Sequence, residues 1–483
     1  MSRREVAAGA LLALCAAALS AFTILRGYGP HDEGLMLAWA RRIADGQWPY
    51  RDFWSNYAPG QPLLLAALVK LFGPSLLWWR IVRVAIDATV SVLAFAYVRR
   101  EGGTGWAVGA WVAVAGAMAW PSGPGPNAPA LALGLGALLL ARRAPVGAGA
   151  LAGLAVFVRP EIGVAAALGA VLEARRRGAE GGAARVALAA TAVAVLSLAP
   201  FAIVAGGAMT DQVLCFASVQ DLQRLPFPLD YDEGFDPNKL LEFYLPAILV
   251  AGSALWAGWA LVRRDGFALA PLIAVGVAYL LARTDEFHLV PLSVVLAIAL
   301  ACAAGREMHV LPRAALGVAL ALVAIHGLER RAGQALHPPA LAAIPAQAAD
   351  GVRTAPADAA ALRALIPYVR ARAPGGAPVL VAPPRYDRVR VGDPMLGVLL
   401  DRPNPTRYDV VQPGVVTTAK VQREMARDLR GTPVVVRWLS ALAREREPNG
   451  SSRSSGVFVL DRAIARGYRP AARFGDYVVL VRR

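Results

Sequence analysis

The sequence is short of charge. Asp, Glu, Lys and Arg together make up 17% of the chain, against about 25% in an ordinary soluble domain. With a hydrophobic share of 57% and a mean hydropathy of +0.47, that shortage excludes a water-soluble fold for most of the length. Cysteine is scarce too, at Cys15, Cys215 and Cys302. Two fall in apolar stretches and one in a loop, so no disulfide framework is implied and all three are expected to act as small hydrophobes. The net charge is +16, but no basic stripe interleaved with aromatics carries it, which argues against nucleic acid as a partner. The chain shows no internal repeat, and its C-terminal part has neither a glycine-rich phosphate loop nor a nucleophile elbow.

What the chain does have is apolar blocks of about 13–22 residues, the size of bilayer helices or of short helices inside a bundle. They predict a polytopic α-helical membrane protein with about eleven spans, from 6–25 and 75–97 through to 310–328. The first run is longer than the apolar core of a signal peptide, so it is expected to be retained. Arginines cluster after alternate blocks, at Arg99-Arg100, Arg142-Arg143, Arg175-Arg176-Arg177, Arg263-Arg264 and Arg306. Positive residues favour the cytoplasmic side, so these ends are expected inside, together with Arg3 and Arg4. The N-terminus is then cytoplasmic and the C-terminus outside. The stretch 61–72 is too short to span. It is expected to lie on the outer surface, because counting it as a span would scatter the arginine clusters over both sides.

The expected organisation is a membrane domain over 1–329 with a large first outer loop at 26–74, a Pro- and Ala-rich linker over 330–356, and an extracytoplasmic α/β domain over 357–483. In the last of these, 358–372 and 417–430 read as helices, and 378–382, 433–438 and 477–481 as strands. The stretch 456–466 reads as a strand running into a helix.

Ionisable groups among membrane helices are costly and are usually paired or functional. Three such constellations are expected at outer turns: His31-Asp32-Glu33, Arg159-Pro160-Glu161 and Arg283-Thr284-Asp285-Glu286-Phe287-His288. Arg80 and Arg83 join them, and Asp87 stands four residues from Arg83, where the two can neutralise each other. Arginines at outer ends run against the usual bias, and an anionic head group at the outer leaflet would explain Arg80, Arg159 and Arg283. Transfer of a sugar from a lipid phosphate needs a base for the acceptor hydroxyl, and one placed carboxylate suffices, because phosphate leaves without acid assistance. The adjacent carboxylates Asp32 and Glu33 are the candidates for that base. Glu161, Asp285, Glu286, His288 and Tyr57 are expected around the acceptor or behind these groups. A divalent metal on His31, Asp32, Asp285 and His288 is the other use of that donor set.

The order of these features resembles a known family. The first helix is followed by Asp32-Glu33, an amphipathic segment, Gly46-Gln47-Trp48-Pro49-Tyr50-Arg51-Asp52-Phe53, a short apolar helix ending Leu71-Phe72-Gly73, and an arginine near the start of the next helix. Over about residues 1–100 this is similar to the GT-C superfamily of lipid-phosphosugar glycosyltransferases, in the branch of protein O-mannosyltransferases and aminoarabinose transferases. Arg159-Pro160-Glu161 and Asp285-Glu286-Phe287-His288-Leu289-Val290-Pro291 extend the likeness. The resemblance implies inverting transfer from a polyprenyl-phosphate sugar at the outer face of the cytoplasmic membrane, with Asp32 in the place of the catalytic carboxylate and an acceptor left open. The chain departs from the pattern at Tyr57-Ala58-Pro59-Gly60-Gln61-Pro62, where relatives often carry Lys-Pro-Pro or His-Pro-Pro. A transporter or flippase of lipid-linked sugars is the competing class. Such proteins tend to place ionisable groups at the midplane in paired repeats, whereas here the charges sit at the predicted outer rim. A sensor or assembly scaffold working through the C-terminal part is a third class, for which so large an anchor would be excessive.

Overall fold

The computed structural model describes residues 3–118, 125–176, 181–214, 220–232 and 234–483, without the side chains at 3, 4, 286 and 330. Cys215, Arg177 and the loop residues 119–124 lie outside the described residues. Helices α1 (Arg3–Ala21), α2 (Asp32–Ala44), α3 (Gly60–Phe72), α4 (Leu76–Gly102), α5 (Thr104–Met118), α6 (Asn127–Leu140), α7 (Pro145–Val158), α8 (Pro160–Arg176) and α9 (Gly182–Ala205) come first. They are followed by the short α10 (Gly207–Val213), then α11 (Pro237–Arg263), α12 (Ala270–Ala282), α13 (Glu286–Arg306) and α14 (Val310–Leu336). Each apolar block of the sequence is therefore helical. Five of the described helices, α4, α9, α11, α13 and α14, are long and apolar enough to cross a membrane, and the other apolar helices are shorter. Large side chains left exposed on the bundle, such as Leu188, Leu196, Ile203, Leu261 and Val262, give it the apolar exterior of a protein solvated by lipid.

Local chemistry sets where these helices begin. The Ser75 side chain accepts from Trp78 N at the head of α4, Asp236 caps α11 ahead of Pro237, and Asp285 caps α13 by accepting from His288 N. In α2 the acidic residues stand in the first turn and Arg41 and Arg42 in the last, matching the helix dipole. Small residues bring the helices together: a Cβ at Gly149 would lie 2.4 Å from Val186 O, and one at Gly153 2.6 Å from Ala190 O. Two glycines four apart thus let α7 and α9 meet backbone to backbone.

The arginine clusters converge on one end of the bundle. Arg142 pairs with Glu101 and Glu173, Arg100 with Glu173, Arg306 with Glu101 and Asp265, and Arg176 with Asp265. This network joins the C-terminal ends of α4, α6, α8 and α13.

Beyond the bundle lie α15 (Pro356–Arg372), α16 (Pro394–Leu400), α17 (Ala419–Asp428) and α18 (Val459–Gly467), with strands β1 (Ala342–Ala343), β2 (Arg353–Thr354), β3 (Val379–Ala382), β4 (Val434–Trp438), β5 (Tyr468–Phe474) and β6 (Tyr477–Arg482). The main sheet has the order β3-β4-β6-β5, with β3 and β4 parallel and the other pairs antiparallel. The long connection a parallel pair requires is supplied here by the segment carrying α16 and α17. Two details differ from the sequence reading. The stretch 456–466 contributes only a helix, and the adjoining strand β5 follows it instead, at the sheet edge, where the exposed run Arg469-Pro470-Ala471 is tolerated. The stretch 330–356, read as a linker, carries the end of α14 and the β1–β2 ribbon.

The core that surrounds this sheet also takes in α2 and α3. Leu35, Met36, Leu37, Trp39, Phe53, Leu65 and Trp79 pack in one cluster with Leu380, Tyr386, Leu396 and Val435. Three backbone ties reinforce it: Gly27 N donates to Arg353 O, Arg353 N to Leu25 O, and Met395 N to Pro30 O.

Candidate active site

The turn before α2 is pressed against the C-terminal part. Gly34 has no room for a Cβ, which would lie 2.3 Å from Met395 N, and Gly392 N donates to His31 Nδ1 at 3.4 Å. The consequence is a sharp division between neighbours in sequence. Glu33 turns inward and is fully buried, while Asp32, one residue earlier on the same turn, is exposed.

Glu33 and Arg80 occupy each other. Arg80 Nε and Nη2 reach the two Glu33 oxygens at 2.8 Å each, and its remaining N–H groups go to the carbonyls of Ile24, Arg26 and Gly27. Glu33 also accepts from Gly29 N. Every donor of Arg80 is engaged and only 2% of the residue is exposed, so it is not available to a phosphate. Arg80 and Glu33, expected at the phosphate and beside the base, thus engage each other, and neither lines the cavities around Asp32.

Asp32 lines a cavity of about 850 Å³ together with His31, Tyr57, Arg159, Glu161, Arg283, Asp285 and His288. Of the described residues expected at the site, Arg80 and Glu33 are the ones this cavity leaves out. The side chain of Glu286 lies outside the described residues. Asp32 also lines a second cavity of about 360 Å³, floored by Arg83, Asp87, Asn127 and Met118. Arg83 and Asp87 pair along α4 at 3.4 Å, as their spacing predicts.

The cavity is built from turns at one end of the bundle. Arg159 ends α7, with its Nε 2.5 Å from Glu161 Oε1. Its guanidinium carbon lies 5.3 Å from the Tyr57 ring centre and 5.0 Å from that of Tyr279, a cation held against two aromatics. Among the described residues, its Nη1 and Nη2 carry no hydrogen bond. Burial, and next the Asp32 charge, push the Tyr57 hydroxyl up to about 12. The loop bearing Tyr57 is pinned by Tyr50 Oη donating to Tyr57 O and by Gln212 bonding Ser55 N and Tyr50 O.

Arg283 ends α12. Its Nε reaches Asp285 Oδ2 at 2.5 Å, Nη1 reaches Gln223 O, and Nη1 and Nη2 fork onto Glu447 at 3.0 and 2.5 Å. Asp285 also contacts His288 Nδ1 at 2.5 Å. Burial works to raise the Asp285 pKa, but the hydrogen bond and charge of His288 and the Arg283 guanidinium outweigh it and hold the carboxyl below its usual value. Glu447 behaves likewise: against burial, Arg283 and Arg390 draw it down to about 2.

Among the described residues the candidate donors are not gathered as a metal site: no three His, Cys, Asp or Glu side chains stand together at ligating distance. Asp285 is engaged by Arg283 and His288, and His31 Nδ1 accepts from Gly392 N.

Sequence reasoning missed Arg390, Gln412 and Glu447, which bring C-terminal groups to the cavity wall. No local motif marks them. Their position depends on contacts made across most of the chain.

No family model matches the sequence, and no curated protein matches it. Among solved structures, ArnT from Cupriavidus metallidurans bound to undecaprenyl phosphate superposes with a TM-score of 0.55 at 14% identity, covering 99% of this chain and 98% of that one. The same enzyme in the apo state matches equally. The arabinofuranosyltransferase AftD from Mycobacteria, in a mutant form, gives a TM-score of 0.48 at 17% identity, over 100% of this chain and 42% of that one. The ArnT likeness is one of fold over the whole length, in accord with the GT-C resemblance of the sequence.

Proposed function

We propose that the chain is an inverting glycosyltransferase of the GT-C type that moves a sugar from a polyprenyl-phosphate donor to an acceptor at the outer face of the cytoplasmic membrane. The observation that carries this reading is the setting of Asp32. It is an exposed carboxylate at a helix start, on a cavity whose walls also hold Arg159 and Arg283. Part of the same lining is apolar, with Val164, Leu168 and Leu214 exposed on the outside of the bundle. A ligand with an anionic head and a hydrocarbon tail meets both halves of that surface. The fold shared with ArnT, whose structure holds undecaprenyl phosphate, supports the same choice.

In this reading Arg159 and Arg283 face the donor phosphate. The acceptor hydroxyl enters beside Asp32, whose carboxylate takes its proton as the oxygen attacks the anomeric carbon. The bond from that carbon to the phosphate oxygen breaks on the opposite face, and the polyprenyl phosphate leaves with the electron pair. The phosphodiester monoanion becomes a phosphomonoester, so negative charge grows next to the guanidiniums, where it is best stabilised. Tyr57 and Glu161 hold Arg159 in place, and Asp285 with His288 does so for Arg283.

The membrane reading that goes with this function has about eleven spans. The arginine network faces the cytoplasm, as does the N-terminus, α3 lies on the outer surface, and residues 357–483 are outside. The ion pairs that join the helix ends at one rim support that orientation.

A transfer assay in proteoliposomes tests the function, with polyprenyl-phosphate sugars as donors and cell-envelope extracts as acceptors. Label should move to an acceptor with inversion at the anomeric carbon. Movement of intact donor between leaflets without any transfer would favour a flippase instead.

A further inference from the structure

We propose that Arg390, from the C-terminal part of the chain, is a third cation of the donor-phosphate site, and that Glu447 is the residue that positions it. The inference rests on the reading of the cavity as a lipid-phosphate site. It adds to that reading a set of residues that no local motif marks.

Arg390 lines both cavities that meet at Asp32. Its Nε donates to Glu447 Oε1 at 2.8 Å, and its Nη1 donates to Leu442 O at 2.9 Å and to Glu445 Oε2 at 2.6 Å. Among the described residues its Nη2 carries no hydrogen bond. Three sides of the guanidinium are thus fixed by its own part of the chain, and one donor edge is left over.

The same Glu447 oxygen accepts from Arg283 Nη2 at 2.5 Å. Arg390 Nε and Arg283 Nη2 therefore stand no more than about 5.3 Å apart, which brings the uncommitted Nη2 of Arg390 and the second N–H of Arg283 Nη2 into one neighbourhood, where oxygens of one phosphate can meet both guanidiniums. Two guanidiniums this close repel each other unless an anion lies between them, and Glu447 supplies it. Asn449 Nδ2 donates to the other carboxylate oxygen at 2.8 Å and fixes its orientation. The charge of Glu447 is secure across ordinary pH, since the pair of arginines holds it ionised. One arginine ends a helix of the bundle and the other belongs to the C-terminal part. A phosphate held by both would be gripped from two sides, and donor binding would tie the halves of the protein together.

The test uses the purified full chain in nanodiscs, with undecaprenyl phosphate as the probe and binding followed by thermal shift and by competition with a labelled donor. R390Q should weaken binding by about 10- to 100-fold and raise the KM for donor more than it lowers kcat. R390K, which keeps the charge but not the fork, should recover part of the loss. E447Q should weaken binding as well, and unlike R390Q it should make the remaining binding more sensitive to salt, because the two arginines are no longer held in register. R444Q, an arginine of the same segment outside the cavity lining, is the charge-matched control and should bind as wild type. Inorganic phosphate alone should protect far less than the lipid; equal protection would overturn the lipid as the source of the anion. If wild type binds undecaprenyl phosphate and R390Q and R390K bind it equally well, Arg390 has no part in the site and this inference falls alone. If wild type itself fails to bind, the reading of the cavity as a lipid-phosphate site falls, and this inference with it.

Discussion

The two hydrophobic cores of the molecule are built from different materials. In the bundle, alanine and glycine alternate with leucine and valine, and Ala110, Ala113, Ala137, Ala148, Ala166 and Ala301 are fully enclosed. Among lipids, burying a larger side chain gains little, because the hydrocarbon outside is as apolar as the interior. Close backbone approach and dispersion contacts do the work instead. The second core is made of Trp39, Phe53, Tyr386, Met395 and a run of valines and leucines, the composition of a fold that hides apolar surface from water. The membership of that second core is informative. Helices α2 and α3 come from the first loop of the membrane region, yet their apolar faces pack with the C-terminal sheet. Asp32 thus rides on the second core, Arg159 on the bundle, and the candidate site spans the seam.

Four substitutions separate the roles on the two sides of this seam. The largest effect is expected from D32N. The side chain is exposed, so the fold and the binding of undecaprenyl phosphate should persist, while transfer in proteoliposomes drops by about 10²–10⁴-fold. Near-wild-type turnover would remove Asp32 from the reaction.

E33Q should do the reverse. It leaves the Arg80 fork buried beside a neutral amide, and breaking a buried pair costs about 3–5 kcal/mol. Thermal melting should fall sharply, while the activity of each folded molecule at low temperature stays close to wild type. A loss of turnover without a loss of stability would put Glu33 back among the reacting groups.

G34A probes the seam itself. Its Cβ must displace Met395 backbone, an overpacking cost of about 1–3 kcal/mol. The C-terminal part should become sensitive to protease while the helices of the bundle remain protected. Simultaneous loss of both would show one cooperative unit in place of two cores.

The smallest effect is one of pH. Asp393 is buried at the seam, where it accepts from Tyr477 Oη at 2.7 Å and from Leu396 N. Burial lifts its pKa from 3.8 to about 7, with those two hydrogen bonds only partly opposing it. The folded state then keeps a proton that the unfolded chain releases, so stability should decline as pH rises from about 4 to about 7 and level off above. D393N can keep both hydrogen bonds without the charge. Melting curves between pH 5 and 8 should be flatter for the variant, and at pH 8 it should be the more stable of the two. Parallel curves for both proteins would mean that another group sets the slope.

The helices were legible because lipid imposes a simple rule on them, and each apolar block of the sequence is a helix in the structure. The strands of β3, β4 and β6 were legible for a related reason, as short runs of valine and leucine between turns. Strand β5 was not, since the arginines and proline of Tyr468–Phe474 give it the look of a loop until β6 pairs with it. At the site, adjacency in sequence was misleading. Asp32 and Glu33 have the same chemistry and opposite surroundings, and only the direction of one helical turn decides between them. Arg80 is a cation out of place by sequence alone, and what accommodates it is Glu33 together with three carbonyls. Arg390 and Glu447 were beyond reach, because nothing near them in sequence differs from an ordinary solvated surface.

The pairing of Arg283 with Glu447 across 164 residues also sets an order in time. Asp32 emerges early in synthesis, and Glu447 roughly 400 residues after it. At about 5–20 residues per second, that gap is on the order of 20–80 s. Through that interval the membrane helices already synthesised carry an unfinished cavity, with Arg283, once it is made, still lacking its carboxylate and the first loop lacking the sheet it will pack against. The candidate site can therefore close only when the end of the chain has reached the beginning. A ribosome stalled before Glu447 would leave an inserted chain whose cavity lacks its C-terminal wall.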